Sequence, residues 1–379
     1  MQSPSRRTFL ATGALAAAGL LAACTSSGGK SGGAGGSDAG GRTTKADPDL
    51  PLRTKAVAAT DALLAQYAPF TGAGGAPGSP VAQLHAEVLT QRAALAAGLP
   101  TGTASPSGAS SSGAASPSGT ASPSGAPSAP GAPAGWAPLA AAEWSTAQAR
   151  LTDLAAASPE LARLLASVSA AGALHAVELG DQAPLAPTAA PSANPSPSAT
   201  GSPSAGGSPS GAASSNTMSA GAVTALQAAL AAEHSAVYAF GVIGARIAPG
   251  PKRDDARACY AAHQARRDAW QQLLAGAGAT PTPAAPGYEL PFAVPDPTAA
   301  ARLAGEIEIR LTAVYADLVA AGSGSLRLDA ATALRTCTLQ ANHWGAAPGA
   351  LPGLPAQAAA TTGTTGATAS PPVSPSASR

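Results

Sequence analysis

Glu233 is the side chain whose position in this sequence asks for chemistry. It stands in the run Val223, Leu226, Leu230, Glu233, Val237, Phe240, Gly244, spaced alternately three and four residues apart. That rhythm is the seam of an amphipathic helix, and a carboxylate on a buried seam is costly unless paired or bound to a metal. A second run, Cys259, His263, Arg266, Trp270, Leu273, keeps the rhythm and turns His263, with one of Arg266 or Arg267, toward the same interior. A third buries Leu303, Ile307, Leu311, Val314 and Leu318, with Glu306 and Glu308 flanking the stripe on opposite sides. A fourth buries Ala330, Leu334, Cys337, Ala341 and Trp344, with Gln340 at its edge and His343 pointing away as a surface residue. Two chemistries fit. One is a buried, charge-compensated network of Glu233, His263, Arg266 and Arg267. The other is a metal site built from Glu233, His263 and Glu308.

The elements that must position these groups are all helical. The spacing predicts Ala222–Ile247, Asp255–Ala275, Thr298–Ala321 and Leu326–Trp344 as one set, and Leu52–Ala68, Val81–Ala97, Ala137–Ala156 and Pro159–Leu179 as another. Each set runs short loop, long loop, short loop. In the second, the long connector Gly276–Pro297 carries six prolines. It cannot be helical, yet it easily spans the ~30 Å of a twenty-residue helix. Four helices with one long central crossover describe a ferritin-like topology. The reading is therefore all-α: two tandem four-helix bundles, at 47–180 and 218–346, the second ferritin-like. Ser/Pro/Ala/Gly stretches at 24–46, 100–135, 181–217 and 347–379 read as a disordered tether, insert, linker and tail. They serve as spacers or as O-glycosylation acceptors. With 37 linker residues between the bundles, independent motion is the default. His85 precedes Leu95 and Gly98 at the same intervals as His263 precedes Leu273 and Gly276, which is consistent with a duplicated unit.

The segments Ala231-Ala-Glu-His-Ser-Ala-Val-Tyr-Ala-Phe-Gly241, His263-Gln-Ala-Arg-Arg-Asp268, Tyr288-Glu-Leu-Pro291 and Tyr315-Ala-Asp-Leu-Val319 resemble the actinobacterial ferritin-like domain of unknown function. The resemblance covers roughly residues 218–346 and implies the fold; the family has no assigned activity. Ferritin-like di-iron proteins in the wider sense would need a single Glu from each of two helices and Glu-x-x-His from each of the others. Glu233 matches one single Glu, and Glu308 or Glu306 the other. Tyr260-x-x-His263 and Gln340-x-x-His343 stand where the pairs should be, so both carboxylates are missing. The expectation is no cofactor, with iron or manganese as the alternative. In the first set, Asp61, His85, Glu143 and His175 occupy comparable places, and structural or capping roles suit them better than ligation.

The amino terminus bears on location. Arg6-Arg7-Thr-Phe9-Leu10, an uncharged stretch to Ala23, and Leu21-Ala-Ala-Cys24 resemble a twin-arginine export signal (1–23) ending in a lipobox. The resemblance implies lipidation of Cys24 and a protein anchored on the outer face of the cell membrane. Cleavage there removes Arg6 and Arg7 and takes the formal charge from +1 to −1, with no basic patch for nucleic acid. Cys259 and Cys337 are expected to lie ~10–15 Å apart along antiparallel helices, too far for a bridge. P-loop, Ser-x-x-Lys, nucleophile-elbow and Cys-x-x-Cys signatures all fail for want of context. The sequence points to a non-catalytic binding or scaffold module with an envelope protein as partner. The alternative is a metal-dependent redox protein with a reduced site.

Overall fold

The computed structural model describes residues 47–71, 79–97, 99, 134–185 and 218–355. Arg6, Arg7, Cys24, the tether and most of the insert, linker and tail lie outside these. Among the described residues there are eight α-helices: α1 (Leu50–Thr71), α2 (Pro80–Ala96), α3 (Ala137–Thr152), α4 (Pro159–Glu178), α5 (Ala220–Arg246), α6 (Pro251–Gly276), α7 (Pro297–Ala321) and α8 (Gly324–His343). Their starts are chemically marked. Ser79, Ser158, Ser219 and Asp296 each accept from the backbone N–H three residues on, which occupies one of the orphan donors of the first turn. Proline stands in the first turn of α2, α4, α6 and α7, where no N–H is missed. α6 begins at Pro251, four residues before the expected Asp255, for this reason.

The helices pack in pairs: α1 with α2, α3 with α4, α5 with α6, and α7 with α8. α5 also packs along α7, and α1 touches α3. Direction follows from register. His263 meets Glu308 and Trp270 meets Tyr315, each partner seven residues further along its own helix, so α6 and α7 run parallel. The connector 277–296 accordingly returns along α5. Gln227 holds Thr280 and Thr282, and further down the helix Tyr238 packs on Tyr288 with ring centroids 5.6 Å apart.

The two sets are not independent. α4 packs on both α7 and α8 as well as on α3, and 15 of its 20 residues are buried. Only Arg163 carries charge between Glu160 and His175, so no face of this helix is built for water. Arg163 pairs with Asp317 of α7 at 2.8 Å. Buried Arg327 of α8 donates to Leu154 O at 2.7 Å and Ala157 O at 2.8 Å in the α3–α4 turn. A single hydrophobic cluster runs from Ala56 and Leu95 through α4 into the interior of α5–α8. A long linker sets no distance between halves whose apolar faces need each other.

The chain also stays ordered past 346, where the tail was expected to begin. Residues 344–355 form a strap across α7. Leu351 and Leu354 pack on the core, and Ala350 O accepts from buried Gln91 of α2 at 3.2 Å. Two glycines permit the approach. A Cβ on Gly305 would stand 2.8 Å from the Ala346 side chain, and one on Gly353, at φ +77°, would stand 2.4 Å from Thr312 O.

Candidate functional site

The seam positions of α5, α6 and α7 converge on His263. Its Nδ1 lies 2.8 Å from Glu233 Oε2 and its Nε2 3.2 Å from Glu308 Oε1. All three side chains are buried. A carboxylate accepts and cannot donate, so both ring nitrogens must carry protons while both glutamates are ionised. Burial alone would lower the imidazole pKa; the Glu233 and Glu308 charges and their hydrogen bonds outweigh it and hold it at about 9 instead of 6.5. Burial likewise pushes Glu233 up, but His263, Arg266 and Tyr315 prevail and hold its carboxyl below the usual range.

The second oxygen of Glu233 is taken from two sides. Arg266 Nη1 lies 3.4 Å away, and the Tyr315 hydroxyl donates to the same Oε1. Tyr315 accepts in turn from Trp270 Nε1 at 3.3 Å. Two carboxylates thus face one imidazolium and one guanidinium, and the centre is neutral. Glu308 Oε2 is the exception: buried, with no hydrogen-bond partner. The Phe240 ring closes the centre on another side, its centroid 4.9 Å from that of His263.

A second centre of the same kind lies in the first helix set. The Tyr67 hydroxyl of α1 donates to Glu143 Oε1 of α3. His175 Nδ1 lies 3.1 Å from the same oxygen and its Nε2 3.1 Å from Glu87 Oε2 of α2. The histidine again stands between two carboxylates and is again held at about 9, burial being outweighed by Glu143 and Glu87. Gly172 makes the room, since a Cβ there would sit 3.3 Å from Glu143 Oε2. One heptad further along α3, Arg150 is buried with a single partner, Thr60 Oγ1 at 3.0 Å, and burial lowers its pKa to about 10 against the pull of Glu143.

The family model that matches covers residues 225–356, from within α5 through the strap. The chain carries a DUF4439 domain. DUF4439 is described as a domain of unknown function. One solved structure to which the chain is similar is that of a conserved hypothetical protein, rv2844, from Mycobacterium tuberculosis. It is 32% identical, and the match covers 33% of this chain and 96% of that one, with a TM-score of 0.32. No curated protein matches.

The DUF4439 centre gathers Glu233, His263, Arg266 and Glu308. It leaves out Arg267, which turns outward to pair with Asp268 at 2.7 Å, and Glu306, which pairs with Arg310 on the surface. An arginine at the edge of a seam can reach either way, and Arg266 is drawn in by the Tyr315 ring, 5.6 Å from its guanidinium. Tyr315 itself went unassigned, although it sits two turns after Glu308 on the same face. In the first set, Glu143 and His175 come together. Asp61 pairs instead with exposed Arg92, and His85 lies against the Tyr67 ring, centroids 5.7 Å apart. Glu87 had not been singled out, because its role depends on how α2 lies over α4.

The antiparallel register of α6 and α8 brings Cys337 nearer the level of Cys259 than the ~10–15 Å expected. His343 meets Asp255 at 3.1 Å and Gln340 meets Cys259 at 3.4 Å, so Gln340 lies a turn below His263 and not level with it. Both thiols are buried and free and near enough to Glu308 to feel its charge. Burial, reinforced by Glu308, pushes Cys259 up to about 12 and Cys337 well above its ordinary value. Thiolate chemistry at neutral pH is closed to both.

These residues do not fit the di-iron group that ferritin-like proteins hold. Both oxygens of Glu233 and one of Glu308 are committed to protein donors, His263 has no free lone pair, and Tyr260 and Gln340 replace two carboxylates. Among the described residues, no group of three or more His, Cys, Asp or Glu side chains could hold a metal ion.

Proposed function

We propose that this protein is a non-catalytic binding or scaffold module of the cell envelope, held on the outer face of the membrane by lipid on Cys24, its DUF4439 half a ferritin-like bundle whose metal chemistry has been replaced. The ferritin-like reading is supported by the parallel α6 and α7 and by the connector that returns along α5. One observation carries the functional reading: His263, protonated on both nitrogens, occupies the middle of a carboxylate pair. A built-in cation there supplies the positive charge that a metal would bring, without redox or Lewis acidity. The same substitution at His175 makes it a rule of the molecule and not an accident of one site.

A second reading, a single metal on Glu233, His263 and Glu308, has one observation in its favour: the unpartnered Glu308 Oε2. It would require His263 to give up one ring contact and the proton on that nitrogen. Elemental mass spectrometry on protein solubilised from its native membrane separates the two. The scaffold reading expects metal below a tenth of stoichiometry, a melting temperature indifferent to divalent cations, and a recurrent protein cross-link in whole cells. Stoichiometric iron, manganese or zinc that disappears in Glu233→Ala would overturn it.

A further inference from the structure

Where α5 ends and α6 begins, the two helices part around an open groove of about 370 Å³, within the size of small-molecule sites, roughly 300–1,000 Å³. Phe240, almost wholly covered, closes its bottom, Gly241 and Gly244 line it from α5, and Tyr260, Arg253 and Arg257 line it from α6; no Asp or Glu lines it. The groove exists because α5 carries Gly241 and Gly244 in its last two turns. Neither glycine is demanded by the backbone or by packing. A Cβ on Gly244 would meet nothing within 4 Å, and one on Gly241 only the Tyr260 ring at 4.0 Å. Glycine weakens a helix interior relative to alanine, so this stretch gives up helix stability and gains an opening.

Of the two guanidinium groups one is held by backbone and the other is an exposed arm paired with Asp254. Arg253 Nε donates to Ile247 O at 2.6 Å, and its terminal nitrogens have no partner among the described residues. Arg257 spends one nitrogen on Asp254 at 3.1 Å. The other charged groups nearby are occupied: Asp255 pairs with His343 and Lys252 lies over the Trp344 ring. Two planar guanidinium groups above an aromatic and glycine floor suit a ligand with an apolar body and a carboxylate head. The floor also reports inward, because Phe240 is stacked on His263.

We propose that the α5–α6 groove binds an amphiphilic carboxylate, its acyl or aryl body lying along Tyr260 and the Gly241–Gly244 stretch and its head held by Arg253 and Arg257. The inference rests on the reading of this protein as a binding module and names what that module takes. Dodecanoate, kept below its micelle concentration, is the probe, titrated into the full chain by calorimetry and followed by the imidazole resonances of His263. Saturable one-to-one binding should shift those resonances, whereas acetate and dodecyltrimethylammonium should do neither. Arg253→Gln with Arg257→Gln should weaken dodecanoate at least tenfold. Gly244→Leu, whose Cβ meets nothing within 4 Å and whose side chain would occupy the groove, should abolish binding with the melting temperature kept. Absence of dodecanoate binding, equal binding of the cationic amphiphile, or full binding by Gly244→Leu would each overturn the groove. If the cellular cross-link survives in Gly244→Leu while dodecanoate fails to bind wild type, the groove is wrong and the binding module stands.

Discussion

Taking the proton from His263 and His175 should unfold this protein by degrees between neutral pH and pH 9. Each imidazole is held at about 9 in the folded chain against 6.5 when free. At about 1.4 kcal/mol per tenfold in proton affinity, that gap is worth about 3 kcal/mol per histidine. The sign follows from the raised value. The stabilisation is complete below about 6.5, where folded and unfolded chains are both protonated, falls as pH rises, and is gone above 9. Together the two histidines put about 6 kcal/mol at stake, out of the roughly 5–15 kcal/mol that stabilises a domain. The buried thiol of Cys259, pushed to about 12 from 9, adds a further loss only above its ordinary value, so the window from 6.5 to 9 belongs to the histidines. Urea unfolding at half-unit pH steps measures the loss, and nitrogen-15 imidazole spectra at pH 7 count the protons directly. Glu308→Gln combined with Glu87→Gln should flatten the profile. Stability that is constant from pH 6.5 to 9, or a His263 ring carrying one proton at pH 7, would refute the clamp and the charge count built on it.

Three further outcomes are expected. Tyr315→Phe leaves Glu233 Oε1 to Arg266 alone and should cost about 1–2 kcal/mol in chemical denaturation, with a shallower loss toward acid because the gap between the folded and unfolded Glu233 carboxyl narrows. Gly244→Ala should stabilise the chain by about 0.5–1 kcal/mol, read as a rise in melting temperature; a fall would mean that the groove is not open. Arg327→Ala removes the donor to Leu154 O, Ala157 O and Gly322 O. It should cost about 3 kcal/mol and raise hydrogen exchange at the start of α4, which an arginine of purely local importance would leave unchanged.

Much of the DUF4439 half is legible in the spacing of its residues, because a heptad seam states which face is buried. Glu233, Cys259, His263 and Cys337 all lie inward, as the alternation of three and four demands. Contacts at the edge of a seam are less legible: Arg266 and Arg267 differ by one position, and the Glu233 carboxylate and Tyr315 ring across the core decide between them. Register between helices is less legible still. Nothing local in α6 or α8 states that Cys259 faces Gln340. The first set is hardest. Its centre joins one residue from each of four helices, with the histidine on the hairpin partner of the glutamate helix, whereas intervals within single segments had put weight on His85. The plainest missed signal is α4, where Leu164–Leu174 carries no charge at all. That composition announces a helix surrounded by protein, and so a second body against which the first must lie.

That burial of α4 on every side has a consequence for the stretch 186–217. A protease cutting there would break the chain but not the molecule: the two fragments should migrate together as a heterodimer and part only in denaturant. Conversely, residues 225–356 expressed alone would present the bare flanks of α7 and α8 where α4 had lain, a strip suited to a second copy of itself. The smallest unit that leaves no such strip bare is then the pair of helix sets, however the peptide between them is cut.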